Sequence, residues 1–553
     1  MKYSGAEIIV HLLEKKGIDT IAGIPGSANL PLYRALHDSK IKHVLARHEQ
    51  GAGFIAQGMA RSTGKAAVCF ATSGPGATNL LTAIADAKLD SVPVVAFTGQ
   101  VATSLIGTDA FQEIDTYGLT IPITKHNFLV RSAAELLDVI PEAFRIAETG
   151  RPGPVVIDVP KDVQQQVCEF GQWPGFHEPT KPQVIEKQLI DKIAQAIHYA
   201  VKPVIMFGAG IIESGSCQLL RLLAEKNNIP LTSTMRGLGA ISPEHPLYVG
   251  MIGMHGTKYA NRITEEADLI LALGLRFDDR ATGKVSEFCR NAQIIHVDID
   301  KAEINKIKPA FMSVNADLHD FLSLLIPSVD KKERREWLDE CYETKDALPY
   351  VVAPLNGDVF HPLRIIDEVA ASIPADSIIT TDVGQHQMWV AMKYPITSPR
   401  TFLTSGGLGT MGFGVPTAIG AALANPGKKV VAFSGDGSFM MNMQELATIA
   451  DEKPNMAILL FNNGTLGLVR QQQELFFDKK YIGSKFKSTP DFAGIAKCFG
   501  LKSIDLEKVS DPLGALHEAL QLNEPVFINV PVNADENVFP MVPPGAANKV
   551  MID

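Results

Sequence analysis

Residues Val431 to Leu466 constrain the fold more than any other stretch of the chain. An apolar run, Val430-Val431-Ala432-Phe433, breaks at Ser434-Gly435-Asp436-Gly437-Ser438. A helix-like run follows over Met440–Ile449, and a second apolar run, Ala457–Phe461, leads straight into Asn462-Asn463-Gly464. Strand, helix, strand in that order predicts a parallel βαβ unit, whose crossover puts the C-terminal ends of both strands on one edge, where ligands bind. Asp436 and Asn463 then converge on one small divalent cation. A site of few hard oxygen ligands that leaves room for a diphosphate suits Mg²⁺, and the glycines beside Asp436 let backbone N–H groups approach phosphate oxygens. Each turn alone is ordinary loop chemistry. Their placement on two strand ends separated by one helix is what points to a site.

At 553 residues the chain exceeds what one core supports, so three or four domains are expected. A net charge of −10 argues against nucleic acid or an anionic membrane surface as partner. The first residues, MKYSGAEIIVHLLEKKG, read as an amphipathic helix rather than a signal peptide, and no uninterrupted apolar stretch has membrane-spanning length. The cysteines (Cys69, Cys168, Cys217, Cys289, Cys341, Cys498) are scattered without a CxxC pair, as expected of reduced thiols in a cytoplasmic protein.

Helix and strand alternate along most of the chain, which predicts an α/β fold of three doubly wound parallel-sheet domains. The expected divisions are 1–170, 185–330, 360–533 and a tail, 534–553. Strands are expected at Thr20–Ile24, His43–Ala46, Ala66–Phe70, Val92–Phe97, Val155–Val159 and Pro203–Phe207. Gln172 to Gln183, rich in Pro and Gly, reads as a linker, and Lys331–Glu336 opens a charged helix that reads as a second connector. The Pro-rich tail around Phe539–Gly545 is not a helix; a disordered end and a flap over a cleft both suit its composition. The first and third units look like copies of one plan. Gly53–Gly58, Ala67–Phe70 and Ser73–Gly76 parallel Gly414–Gly420, Val431–Phe433 and Ser434–Gly437, and Gly153–Pro160 echoes Glu524–Pro531, at an offset of 361 to 371 residues. Two related domains would hold a cofactor between them, one end each.

The Gly-Asp-Gly and Asn-Asn pair resembles the thiamine diphosphate motif. The stretches RHEQGAGFIAQGMAR, TSGPGATNL, GTDAFQE, ITKHN, GMHG, RFDDR, TDVGQHQMW, TSGGLGTMGFGVP, GDGSFMMNMQELAT and PMVPPGAAN extend the likeness over nearly the whole chain. In this order they make it similar to the catalytic large subunits of acetohydroxyacid synthase (acetolactate synthase), of the bacterial isozyme I type. The resemblance implies a pyrimidine-binding domain, a central FAD-binding Rossmann-like domain and a diphosphate-binding domain. It implies a transferase that decarboxylates pyruvate and joins the two-carbon unit to a second 2-ketoacid. Pyruvate would give 2-acetolactate and 2-ketobutyrate would give 2-aceto-2-hydroxybutyrate, in branched-chain amino acid synthesis. The implied cofactors are thiamine diphosphate, Mg²⁺ and FAD. The implied assembly is a homodimer or larger, with Glu49 and Asp436 of one site coming from different chains and a separate regulatory small subunit.

The same resemblance assigns roles by residue. Asp436, Asn463 and the carbonyl of Thr465 would ligate Mg²⁺; Gln385, His386, Gly409, Met411, Gly437 and Ser438 would hold thiamine diphosphate, with Met411 wedged beneath it. Glu49 would hydrogen-bond the aminopyrimidine ring and share its proton. Without the family, Glu49 reads equally well as a helix N-terminal acid. Flavin contacts would come from Gly208, Ala209, Gly210, Thr234, Gly253, Met254, His255, Gly256, Gly274, Arg276, Asp278, Asp298, Ile299 and Asp317. Read bare, Gly208-Ala209-Gly210 is no GxGxxG fingerprint and a plain glycine turn serves as well. Arg280 would bind the incoming carboxylate through its fork, where the bare reading is a surface ion pair. Gly26, Gln100, Phe111, Gln112 and Lys125 would line the substrate site. Gln472 stands where most relatives carry tryptophan, which implies weak preference between the two acceptors. Pyruvate oxidase, which would consume oxygen, and a non-catalytic flavin- and nucleotide-binding regulator remain alternatives. Glyoxylate carboligase lacks the glutamate that Glu49 supplies.

Overall fold

The computed structural model describes residues 1–176, 184–349 and 357–553. Three six-stranded sheets carry the chain, and every pairing within them is parallel. Counted in chain order, the strands of the first sheet, between Thr20–Gly23 and Val155–Pro160, lie second, first, third, fourth, sixth, fifth. The third sheet, between Ile378–Thr381 and Val526–Pro531, repeats that order; the middle sheet, between Pro203–Phe207 and Met312–Asn315, lies third, second, first, fourth, fifth, sixth. The duplication read from the sequence is thus present as shared topology. The middle order is that of dinucleotide-binding folds. Strands such as Val430–Gly435 are apolar without alternation because helices cover both faces of a parallel sheet.

The first and third units share one hydrophobic core. Helix Glu49–Thr63 lies against helix Gly414–Ala424, and glycine makes the approach possible: a Cβ on Gly58 would stand 2.0 Å from the Thr417 carbonyl oxygen, and one on Gly420 would stand 1.9 Å from that of Ile55.

Two local expectations change, and the alternative left open for the tail is decided. The run Met440–Ile449 is not one helix; a short helix, Asp436–Phe439, is followed by a 3₁₀ turn, Met443–Glu445, and a second helix, Leu446–Glu452. Asn442 breaks it, donating to the Gly412 carbonyl at 2.8 Å and to Gln50 Oε1 at 3.1 Å. The charged connector helix begins only at Arg335, and the buried Arg334 before it donates to the carbonyls of Asn227 and Ile197. The tail is neither helical nor loose: Val542 N–H donates to Met254 O at 2.8 Å, and Lys284 N–H to Ala546 O at 2.9 Å. Of the Pro/Gly linker, Trp173 stacks near Tyr3 with ring centroids 5.2 Å apart, while 177–183 lies outside the described residues. Among the described residues no helix is long and apolar enough to cross a membrane.

Candidate active site

Strands Val430–Gly435 and Met456–Asn462 are neighbours, with Gly435 opposite Phe461, so Asp436 and Asn463 emerge side by side at one sheet edge. Asp436 is buried; it accepts Gly437 N–H at 2.8 Å and Gly464 N–H at 2.6 Å. Burial pushes its carboxyl up to about 6, and the groups that oppose burial are backbone N–H donors, not cations. A buried carboxylate without a cationic partner is a place for a metal ion. Asn463 turns Oδ1 toward Thr465, whose N–H and hydroxyl both donate to it at 3.0 Å, and its amide donates to Gln385 Oε1 at 3.3 Å. Among the described residues no group of three or more His, Cys, Asp or Glu side chains is placed to hold a metal. A cation here would draw on one carboxylate plus amide and backbone oxygens, the hard, open set that suits Mg²⁺ shared with phosphate oxygens.

The diphosphate side fits equally. His386, buried at the start of helix Gln385–Lys393, has Nε2 without a hydrogen-bond partner, and burial drives the ring down to about 3, so it is neutral. The ring lies with its Nδ1 side against Gly435, and the orphaned Nε2 awaits an acceptor or donor that the chain does not supply. Gly437 admits no larger side chain: a Cβ there would stand 2.5 Å from Leu466 Cδ2, with Met411 Cε 3.7 Å away. Ser438 Oγ donates to Val383 O at 2.8 Å, and Gln385 spends its amide hydrogens on Gln471 Oε1 (3.0 Å) and Glu536 O (2.7 Å).

At the middle unit, Gly208 and Gly210 follow the first strand and Gly274 follows the fourth, adjacent in the sheet where the strand order reverses. Gly210 and Gly274 are so close that a Cβ on the former would meet the Cα of the latter at 2.7 Å. This switch point opens into a cavity of ≈ 1320 Å³, larger than the roughly 300–1,000 Å³ of ordinary ligand pockets. Every flavin-contact candidate except Gly253 and Gly256 lines it. Gly253 instead lies against the Arg280 carbonyl, where a Cβ would come to 2.2 Å. Arg280, Gly409 and Gln472 line the same cavity, joining the middle and third units. The Arg280 guanidinium has Asp279 only at 3.7 Å and rests on Met254 Sδ at 3.4 Å, leaving its donors for a ligand carboxylate.

Glu49 is buried at the first turn of its helix, and Asn79 Nδ2 donates to its Oε2 at 3.0 Å. Gly76 of the same unit borders it, a Cβ there standing 3.3 Å from Glu49 Oε1, and Thr72, which packs on both Gly76 and Gly26, has Oγ1 buried without a partner. Other candidates of the first unit make the following contacts. Gln100 donates to Ile114 O (2.8 Å) and Asp158 Oδ2 (3.0 Å) and accepts Val101 N–H, which commits its amide to the protein. Lys125, drawn down to about 8 chiefly by burial, donates to Thr149 O at 2.6 Å and to Ile146 O, closing the end of helix Leu136–Glu148. Phe111 is 85% exposed, and Gln112 holds a left-handed φ of 60° beside Gly74.

Sequence reading missed three side chains. Glu445 Oε1 accepts the N–H groups of Arg47 (3.0 Å) and His48 (3.1 Å), docking the start of the Glu49 helix on the third unit. Asp382 accepts Gly412 N–H at 2.8 Å and the Ser434 hydroxyl at 3.1 Å, two residues before Asp436. Asp158 holds Thr98 and Gln100. An acid inside an apolar run is the signal that Glu445 and Asp158 both carried.

Models of the thiamine pyrophosphate enzyme family match in three places: the N-terminal TPP binding domain over residues 3–119, the central domain over 190–325 and the C-terminal TPP binding domain over 382–530. The acetolactate synthase isozyme 1 large subunit of Escherichia coli is 52% identical over 552 residues, covering 100% of this chain and 98% of the relative. The isozyme 2 large subunit of the same organism is 44% identical, over 100% of this chain and 99% of its own length. The acetolactate synthase large subunit of Corynebacterium glutamicum is 43% identical over 99% of this chain and 90% of its own.

Proposed function

We infer the activity from a settled premise: the chain belongs to the thiamine pyrophosphate enzymes and, within them, to the acetolactate synthase large subunits. It is a thiamine pyrophosphate-dependent transferase that decarboxylates pyruvate and condenses the two-carbon unit with a second 2-ketoacid. The observation that carries this chemistry to particular residues is Asp436, buried without a cationic partner, next to Gly435, against which the His386 ring packs with its Nε2 unpartnered.

When bound, thiamine diphosphate supplies a carbon that takes up a 2-ketoacid carbonyl and an electron sink for the pair left by departing CO₂. The chain's own residues do the rest in this reading. Asp436, Asn463 and the Thr465 carbonyl would hold Mg²⁺; His386, Gln385, Gly437 and Ser438 would surround the diphosphate; Gly409 and Met411 would pack against the ring system. Glu49 would hydrogen-bond the aminopyrimidine ring and relay a proton to or from it through its carboxylate. Arg280 grips the carboxylate of the acceptor ketoacid in a fork. Gln472, on the wall of the same cavity, offers the acceptor's extra methyl less apolar surface than a tryptophan would. That supports weak discrimination between pyruvate and 2-ketobutyrate.

FAD is the proposed occupant of the large cavity, on the strength of its size and its place at the strand-order reversal. Condensation involves no net redox change, so its role would be structural. Glu49 opens within its own unit, and apolar Phe111 and Ile482 are 85% and 82% exposed, which supports a homodimer whose sites each take Glu49 from one chain and Asp436 from the other. The relatives are named as large subunits, which supports a separate small subunit. Unpaired cysteines fit the cytoplasm. The domain divisions are 1–170, 185–330 and 360–533, with the tail 534–553 strapped over the last two. The test is acetolactate formation from pyruvate with each cofactor present or withheld, beside Glu49→Gln. That variant should lose roughly 10²–10⁴-fold in rate; full activity would refute the proton role.

A further inference from the structure

We propose that Asp86 and Asp90 are positioning residues that hold the loop 404–411, and with it Met411, in register with the occupant of the large cavity. The loop joins strand Phe402–Leu403 to helix Gly414–Ala424, and its middle, Ser405 to Gly409, lines the cavity. Beyond it Met411 borders Gly437 at the metal edge. One loop therefore touches both proposed cofactor sites.

The first unit, not the loop's own, grips it. Asp90, at the C-terminal end of helix Pro75–Leu89, accepts the N–H groups of Gly406 at 3.0 Å and Gly407 at 2.8 Å. Asp86, one turn earlier, accepts the hydroxyls of Ser405 and, at 2.8 Å, Thr410, while Thr410 N–H donates to Ser405 Oγ at 2.9 Å. Both ends of the loop are thus pinned to one face of one helix. Arg61 stands between the carboxylates, its Nη2 at 3.0 Å from Asp86 and 2.9 Å from Asp90, and its Nη1 donates to Thr404 O at 3.1 Å. Gln57 braces Arg61 at 2.7 and 3.0 Å. The middle unit adds Arg236, which donates to the Asp90 carbonyl, lies 3.7 Å from its carboxylate and also lines the cavity.

Three units therefore meet at two fully buried acids. A buried ion cluster adds little stability over apolar packing; its distinct property is direction. These carboxylates fix two glycine N–H groups and two hydroxyls of a loop that otherwise has little side-chain bulk to locate it. Because Asp90 touches both the loop and the cavity-lining Arg236, an occupant that fixes Arg236 and the loop backbone also fixes Met411. By linkage, each site's ligand then raises affinity at the other.

The coupling rests on the flavin reading of the cavity, and the experiment separates the two. In cofactor-stripped full-length protein, amide exchange over 404–411 is measured for wild type, Asp90→Asn and Asp86→Asn. Affinity for thiamine diphosphate with Mg²⁺ is measured with and without saturating FAD. The loop amides should exchange roughly tenfold faster in both variants. FAD should raise thiamine diphosphate affinity about tenfold in wild type and less than about twofold in the variants, with FAD's own affinity changed less than about threefold. A merely structural role would lower the melting temperature but leave the FAD effect intact, and that outcome overturns the proposal. So does an absent FAD effect in wild type that binds FAD. If wild type binds no FAD, the flavin reading falls, and exchange alone decides: unchanged loop exchange in Asp90→Asn overturns the clamp. Should both variants fail to fold, Thr410→Val, which removes a single bond to Asp86, is read by the same criteria.

Discussion

Glu445 offers a clean test of how the first and third units are joined. Its carboxylate is buried, and one oxygen, Oε1, accepts both backbone N–H groups at the entrance of the Glu49 helix, at 3.0 and 3.1 Å, while Oε2 accepts the Thr448 hydroxyl at 2.7 Å. Glu445→Gln keeps an oxygen toward both amides and turns an NH₂ toward a hydroxyl that can rotate to accept, so it should cost less than about 1 kcal/mol. Glu445→Ala strands two buried N–H groups; at about 1–3 kcal/mol each, the expected loss is 2–6 kcal/mol. Burial raises this carboxyl above its ordinary value, so the native chain holds the proton more tightly than the unfolded chain does. Stability from this group therefore falls as pH rises from its unfolded value through its folded one, and Glu445→Gln should abolish that slope. Urea denaturation followed by fluorescence and by far-UV dichroism across pH 4 to 7 reads both effects. Equal loss in the two variants would show that the charge, not the acceptor, matters, and an unperturbed Glu445→Ala would refute the docking role.

Three shorter predictions accompany it. Gln472→Trp should raise the 2-ketobutyrate to pyruvate acceptor ratio in direct competition by roughly fivefold, about 1 kcal/mol for one methylene against an apolar wall; an unchanged ratio would remove Gln472 from the acceptor site. Asp158 is pushed up to about 7 by burial, so native protein binds a proton that the unfolded chain has released above 3.8. Stability should drop between about pH 4 and 7 by at most ~4 kcal/mol, and Asp158→Asn, which still satisfies Thr98 and Gln100 after an amide flip, should flatten that part of the curve. Gly420→Ala places a Cβ 1.9 Å from a carbonyl oxygen and should lower the melting temperature by an amount equivalent to about 1–3 kcal/mol or prevent folding; wild-type behaviour would mean that the two helices separate readily.

The elements most legible in the sequence were those whose chemistry is local. Continuous apolar runs announced strands buried on both faces, and turn residues marked their ends, so Asp436 and Asn463 were found where the sheet places them. Periodicity failed at Met440–Ile449, where Asn442 prefers a distant carbonyl to the helix. Side-chain direction was beyond reach. Gln100 and Lys125 had the right chemistry for a substrate site, yet both spend their donors on their own unit's carbonyl and carboxylate oxygens. Nothing in the sequence singled out Asp86 and Asp90, because what buries them is a loop more than three hundred residues away.

The duplication explains more than a shared strand order. Helix Glu49–Thr63 and helix Gly414–Ala424 occupy equivalent places in the two copies, and they touch through reciprocal contacts, Gly58 on Thr417 and Gly420 on Ile55. Gly58 is three residues beyond Ile55, and Gly420 is three beyond Thr417, so the interface relates the copies by a local twofold. Such an interface needs a small residue at the same place on both helices, because either Cβ would strike backbone rather than a movable side chain. It also puts the start of one helix, with Glu49, beside residues 442–445 that follow the metal edge of the other copy. Glu49 nevertheless turns to Asn79 within its own unit. The twofold that joins the copies inside one chain thus sets the start of the Glu49 helix against residues 442–445 while the Glu49 carboxylate itself stays with its own unit.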